Sequence, residues 1–164
     1  MARILPQVEW LFLATLLSAC ASPAPADSAS MNPSIRIQYA GVPVDDQAKA
    51  LAFYTEVLGF EVKTDIPVGG DFRWLTVTSP AGVADLEFLL EPNAHPATKA
   101  YQAALKKDGI PWTMFMVEDL DAVCAMLREK GVDFTMDATD AGTVKIAIFD
   151  DTCGNLIQLA EQLK

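Results

Sequence analysis

A chain of 164 residues accommodates one compact domain and a short appendage. Its 12 Lys and Arg stand against 22 Asp and Glu, and the net charge of −10 excludes nucleic acid as a partner and a polybasic patch for anionic lipid. Hydrophobic residues make up 51%, too many for a disordered acidic chain, and one His excludes a site built on several imidazoles of a single chain.

Residues 1–34 differ in composition from the remainder. Trp10-Leu-Phe-Leu-Ala-Thr-Leu-Leu17 is an apolar run of 8 residues, well short of the roughly 20 that span a bilayer. With Arg3 ahead of it, the run reads as the core of a secretory signal over residues 1–19. Leu17-Ser18-Ala19-Cys20 resembles the bacterial lipobox. That resemblance implies an acylated Cys20, a lipid anchor in the cell envelope and, with Ala rather than Asp at position 21, the outer membrane. Residues 20–34 then read as a flexible tether rich in Ala, Ser and Pro. Pro6 and Glu9 are unusual in a signal. Met31 is the alternative start and would leave the protein cytoplasmic.

From residue 35 short strands alternate with helices. Ile35–Val42 reads as a strand. Asp45-Asp46 caps a helix with Ala48, Leu51, Ala52, Tyr54 and Leu58 on its apolar face. Gly59 stops it, Phe60–Val62 opens a strand, and Pro67–Asp71 is a Gly-rich turn. Phe72–Thr78 and Leu86–Leu90 are strands on either side of Ser79-Pro-Ala-Gly82. Ala97–Lys107 is a connecting helix that ends at Asp108-Gly109.

The order then recurs. Pro111–Val117 is a strand. Asp119 leads a helix with Leu120, Val123, Cys124 and Leu127 on one face. Gly131 stops it, and Val132–Phe134, Thr143–Phe149 and Asn155–Ala160 are strands. Val44 lies 15 residues before Gly59, and Val117 lies 14 before Gly131. The spacing predicts an α+β fold of two βαβββ modules: module one over 35–92, a connector helix over 97–108 and module two over 111–164.

Three stretches carry a family resemblance: Val44-Asp-Asp-Gln-Ala-Lys-Ala-Leu-Ala-Phe-Tyr-Thr-Glu-Val-Leu-Gly-Phe60, Val117-Glu-Asp-Leu-Asp121 and Phe149-Asp-Asp-Thr-Cys-Gly-Asn-Leu-Ile-Gln-Leu159. With Phe72–Val77 they resemble the glyoxalase/bleomycin-resistance/extradiol-dioxygenase group, the vicinal oxygen chelate superfamily. The resemblance implies a curved, eight-stranded mixed sheet around a pocket, and pairing of chains into a homodimer. It also implies four ligand positions, which fall here on Tyr39, Glu87, Trp112 and Gln158. Indole is only a donor, and neutral phenol and amide are poor ligands for Zn, Ni or Fe. The expectation is therefore no metal and no other cofactor.

Strand alternation extends that quartet. Trp74, Leu89, Met114 and Met116 share its parity, as do Phe72, Thr76, Ile146 and Ile148, whereas Phe88, Phe115, Val117, Phe149, Ile157 and Leu159 form the opposite, core-facing set. The expected ligand face is aromatic and Met-rich, with Tyr39, Trp74, Glu87, Trp112, Met114, Met116 and Gln158 as its candidates. Glu87 is the candidate catalytic base or ligand anchor. His95, in a turn-rich connector, reads as solvated. Cys124 reads as a buried small hydrophobe, and Cys153 as an inert thiol in a turn that could be exposed.

Three functions are compatible with these residues. The first is a metal-independent domain that binds a small molecule. The second is a glyoxalase- or dioxygenase-type enzyme acting on a small oxygenated substrate. The third is a non-catalytic interaction module of the envelope.

Overall fold

The computed structural model describes residues 35–164, of which Arg36–Lys164 form one compact unit. The signal at 1–19, Cys20, the tether at 20–34 and Met31 lie outside the described residues. Along the chain run β1 (Tyr39–Val44), α1 (Gln47–Ala52), β2 (Glu61–Gly69), β3 (Phe72–Thr78), β4 (Glu87–Pro92), α2 (Pro96–Lys107), β5 (Thr113–Met116), α3 (Leu120–Glu129), β6 (Phe134–Asp140), β7 (Val144–Asp150) and β8 (Leu156–Gln162). This is the α+β, twice-repeated βαβββ arrangement. The eight strands divide into two four-stranded mixed sheets, β1-β4-β3-β2 and β5-β8-β7-β6. In each, the first strand runs parallel to the fourth and the remaining pairs are antiparallel.

The helices start where the sequence places carboxylates. Asp46 accepts hydrogen bonds from the Ala48 and Lys49 N–H groups, and Asp119 accepts one from Ala122. The inward face of α1 differs from the expected one. Gln47, Ala50, Phe53 and Tyr54 are buried, while Ala48 and Ala52 are exposed. Hydropathy misplaces this face because its first residue is polar. Gln47 is buried because its amide is fully used: Nε2 donates to the Arg73 and Leu90 carbonyls at 2.8 Å each, and Oε1 accepts from the Arg73 N–H at 2.9 Å. A π-helical turn, Phe53–Val57, then directs both Phe53 and Tyr54 inward.

Three strands also differ from their expected bounds. β1 begins at Tyr39, not Ile35. β2 continues through Pro67 to Gly69, which an edge strand tolerates because the missing N–H can face solvent. The chain reverses only at Gly69-Gly70, where φ values of +115° and +58° favour glycine. β6 begins at Phe134 and runs on to Asp140.

One hydrophobic core serves both modules. Val42, Leu75, Val77 and Leu90 from module one pack with Leu120, Phe149, Ile157 and Leu159 from module two. Phe53 lies 6.1 Å from Phe149 and Phe88 lies 5.4 Å from Phe115, centroid to centroid.

The outer edge of β1 is closed by side chains. Trp112 Nε1 donates to the Gly41 carbonyl at 3.0 Å. Gln102 Nε2, from α2, and Asn155 Nδ2, from the turn before β8, both donate to the Pro43 carbonyl, at 2.8 and 2.9 Å. Asn155 Nδ2 also reaches Asp151 Oδ2 at 2.6 Å. The Asp151 carboxylate, fully buried, collects the Tyr54 hydroxyl at 3.2 Å and the Cys153 and Asn155 N–H groups at 2.8 Å each. Burial pushes its carboxyl above the usual range, and these donors oppose that shift.

Gly154 has a φ of +107°, and a Cβ built there would stand 2.6 Å from Gln102 Nε2. Gly154→Ala is therefore expected to displace Gln102 and cost about 1–3 kcal/mol of stability, measured by urea denaturation. An unchanged midpoint would contradict the tight packing of Gln102 against this turn.

Candidate functional site

Residues paired across a ladder share one face of the sheet. In module two the row Met114–Gln158–Ile148–Met136 crosses all four strands. In module one the corresponding row is Gly41–Leu89–Thr76–Thr64, with Tyr39 opposite Glu87 beside it and Ile66 opposite Trp74. The other parity supplies the core: Phe149, Ile157 and Leu159 are buried, and Phe88, Phe115 and Val117 pack against them. Six of the seven candidates, Tyr39, Trp74, Glu87, Met114, Met116 and Gln158, thus share the parity opposite the core. The indole of Trp112, just before β5, reaches the Gly41 carbonyl on β1.

This face is apolar and exposed. Tyr39, Phe72, Trp74 and Met136 are each more than a third accessible, and Met114 and Met116 reach 52% and 57%. Tyr39 and Trp74 meet edge to face at 5.6 Å. Among them Glu87 is only 7% accessible. The Thr76 hydroxyl donates to Glu87 Oε2 at 2.6 Å.

Trp112 stands apart from the other six. Its indole N–H is used on Gly41, and its ring packs on Tyr101 of α2 at 5.8 Å. Spacing within the repeat equates it with Tyr39, and the matching rows keep that equivalence, since Met114, two residues later, stands where Gly41 does. The same rows set Gln158 at the place of Leu89, two residues from the place of Glu87. Gln158 Nε2 lies 3.3 Å from the Met114 sulfur. A phenol, a carboxylate already held by Thr76, a donor-only indole and an amide do not make a divalent-metal site. Among the described residues, no group of three or more His, Cys, Asp and Glu is placed to hold a metal ion.

The other candidate nucleophiles have structural roles. His95 is a helix cap: its Nδ1 accepts from the Ala97 N–H at 3.1 Å. Cys124 is buried on α3, as expected. Cys153 is also fully buried rather than exposed, and burial, then the Asp151 carboxylate, pushes its thiol up to about 12.

Two shallow clefts lie away from the ladder face. One, of about 350 Å³, is lined by Asp45, Lys99, Gln102 and Lys106. The other, of about 480 Å³, uses the exposed α1 face of Ala48, Leu51 and Ala52 with Phe60 and Arg73. Two residues of the ladder face escaped the sequence reading: Ile66 on β2 and Met136 on β6. The alternation Thr64-x-Ile66 was the available signal, hidden by Pro67 and the glycines beyond it.

The family described as Glyoxalase/Bleomycin resistance protein/Dioxygenase superfamily matches residues 36–159. Uncharacterized protein YurT of Bacillus subtilis (strain 168) is 50% identical over 128 residues, covering 78% of this chain and 100% of YurT. The crystal structure of UcmS2 superposes with a TM-score of 0.67 at 32% identity, covering 79% of this chain and 99% of that one. TnmS3, an antibiotic binding protein from Streptomyces sp. CB03234, gives a TM-score of 0.63 at 30% identity, with 80% and 98% covered.

Proposed function

We propose a small-molecule-binding function for this chain, which belongs to the Glyoxalase/Bleomycin resistance protein/Dioxygenase superfamily. The ligand is a flat, largely apolar molecule, and its seat is the ladder face around Tyr39, Trp74, Glu87 and Met114. One observation carries this reading: aromatic side chains lie exposed beside a buried carboxylate on the open face of one sheet, and Met side chains lie exposed on the matching face of the other. Exposed apolar surface of this kind marks a ligand or partner site. Met side chains repack around a guest, and two aromatic rings suit a planar one. The similarity to an antibiotic binding protein supports the same reading.

Binding proceeds without a metal, because the residues at the family's ligand positions are unsuited to one. A second copy of the chain, laid over the face, would supply the missing wall, so the working unit is a homodimer. Acylation of Cys20 would hold that unit at the cell envelope, with the outer membrane as its destination.

Titration with acridine, followed by Trp fluorescence, tests the binding face. Saturable quenching is expected, unchanged after exhaustive dialysis against a chelator. Trp74→Leu should weaken binding about five- to tenfold, the worth of one aromatic contact. Loss of binding on chelation would overturn the metal-free reading, and full affinity in Trp74→Leu would move the site elsewhere.

Cell fractionation tests the anchor. The full chain should follow the membranes and Cys20→Ala should leave them. A soluble wild-type protein would contradict acylation.

A further inference from the structure

The ladder face carries negative charge but no positive charge from its central strand positions. Glu87 is nine-tenths buried, and Thr76 binds only one of its two oxygens. Among the described residues no buried polar side-chain atom lacks a partner, so the second oxygen retains access to the open side. Glu91 follows on the same face of β4, two ladder positions on, opposite Pro43. The cations of β3 and β7 have the other parity. Arg73 bonds Asp65 at 2.5 Å, and Lys145 pairs with Asp121 of α3. Among the described residues Glu87 has no ion-pair partner, and a carboxylate this deep without one favours a cationic guest in a chain with a net charge of −10.

The aromatic residues stand where a cation would need them. Tyr39 lies directly opposite Glu87 across the β1–β4 ladder, and Trp74 meets Tyr39 at 5.6 Å with the rings at 75°. Two rings at this angle present a face and an edge, and the face attracts a positive charge. Carboxylate and ring faces act on the same charge, and both act more strongly as water leaves the site.

We infer that the ligand of this face is a cation: a planar aromatic carrying a fixed or protonated amine, its charge held between the Glu87 carboxylate and the Tyr39–Trp74 rings. This rests on the binding reading given above and adds the charge of the ligand to it. The charge accounts for a buried carboxylate among aromatic rings.

The test compares N-methylacridinium, a permanent cation, with acridine at mildly alkaline pH, where its ring nitrogen is uncharged. The cation is expected to bind about tenfold more tightly. Glu87→Gln keeps the side-chain size and an oxygen for the Thr76 hydroxyl. It should remove that preference by weakening the cation about tenfold while leaving acridine unchanged. Trp74→Leu, a change at the exposed edge of the face, should also narrow the preference and serves if Glu87→Gln fails to fold. Equal binding of both probes, with Glu87→Gln without effect, would overturn the inferred charge and leave the binding face intact. Failure of both probes to bind the wild-type protein would overturn the charge and the binding face together.

Discussion

The Gly41 and Pro43 carbonyls lie on the edge of β1 that faces away from β4, and the rest of the structure depends on what satisfies them. Pro43 is buried, and a buried carbonyl without a donor is costly; Gly41 lies at the exposed end of the same edge. Three side chains meet that demand: Trp112, Gln102 and Asn155, all from beyond module one. Two four-stranded sheets are thereby joined by side-chain amides and an indole. Asn155 is positioned in turn by Asp151, and Asp151 by the Tyr54 hydroxyl of module one. The network closes on itself across the two modules, and its members have little freedom. A buried polar network of this kind is rigid only while every member is satisfied.

The open face follows from that closure. The helices and the shared core cover one side of each sheet. The other side of each sheet stays open, with Tyr39 and Glu87 on one and Met114 and Gln158 on the other. Neither module alone presents both the aromatic pair and the Met cluster. The chemistry of the face is asymmetric although the backbone is repeated: the carboxylate and rings belong to module one, the thioethers to module two.

Much of this was legible in the residues. The recurrence of a capped helix after Val44 and Val117 marked both modules, and alternation along residues 86–90 and 155–160 separated the core from the open face. The remainder was hidden for identifiable reasons. Gln47 and Gln102 are polar and buried, and hydropathy assigns such residues to solvent until their hydrogen-bond partners are known. Gln158 matches Glu87 by motif, yet the ladder sets it at the place of Leu89, because sheet pairing and sequence spacing differ by two residues there. Pro67 and Gly69-Gly70 read as a turn, and only the paired backbone of β3 shows that β2 reaches past the proline. Asp151 and Asn155 sit in a turn, where polar residues are ordinary, and nothing local distinguishes them from surface residues.

The central claim is that the ladder face, and not either cleft beside the helices, receives the ligand. Methionine methyl NMR during titration with N-methylacridinium tests it most directly. Met114, Met116 and Met136 report on the face, and Met126, exposed on α3, serves as the internal control. Saturable shifts of the first three with Met126 unmoved are predicted. Saturable binding, followed by Trp fluorescence, with the three face methionines unmoved would contradict the account.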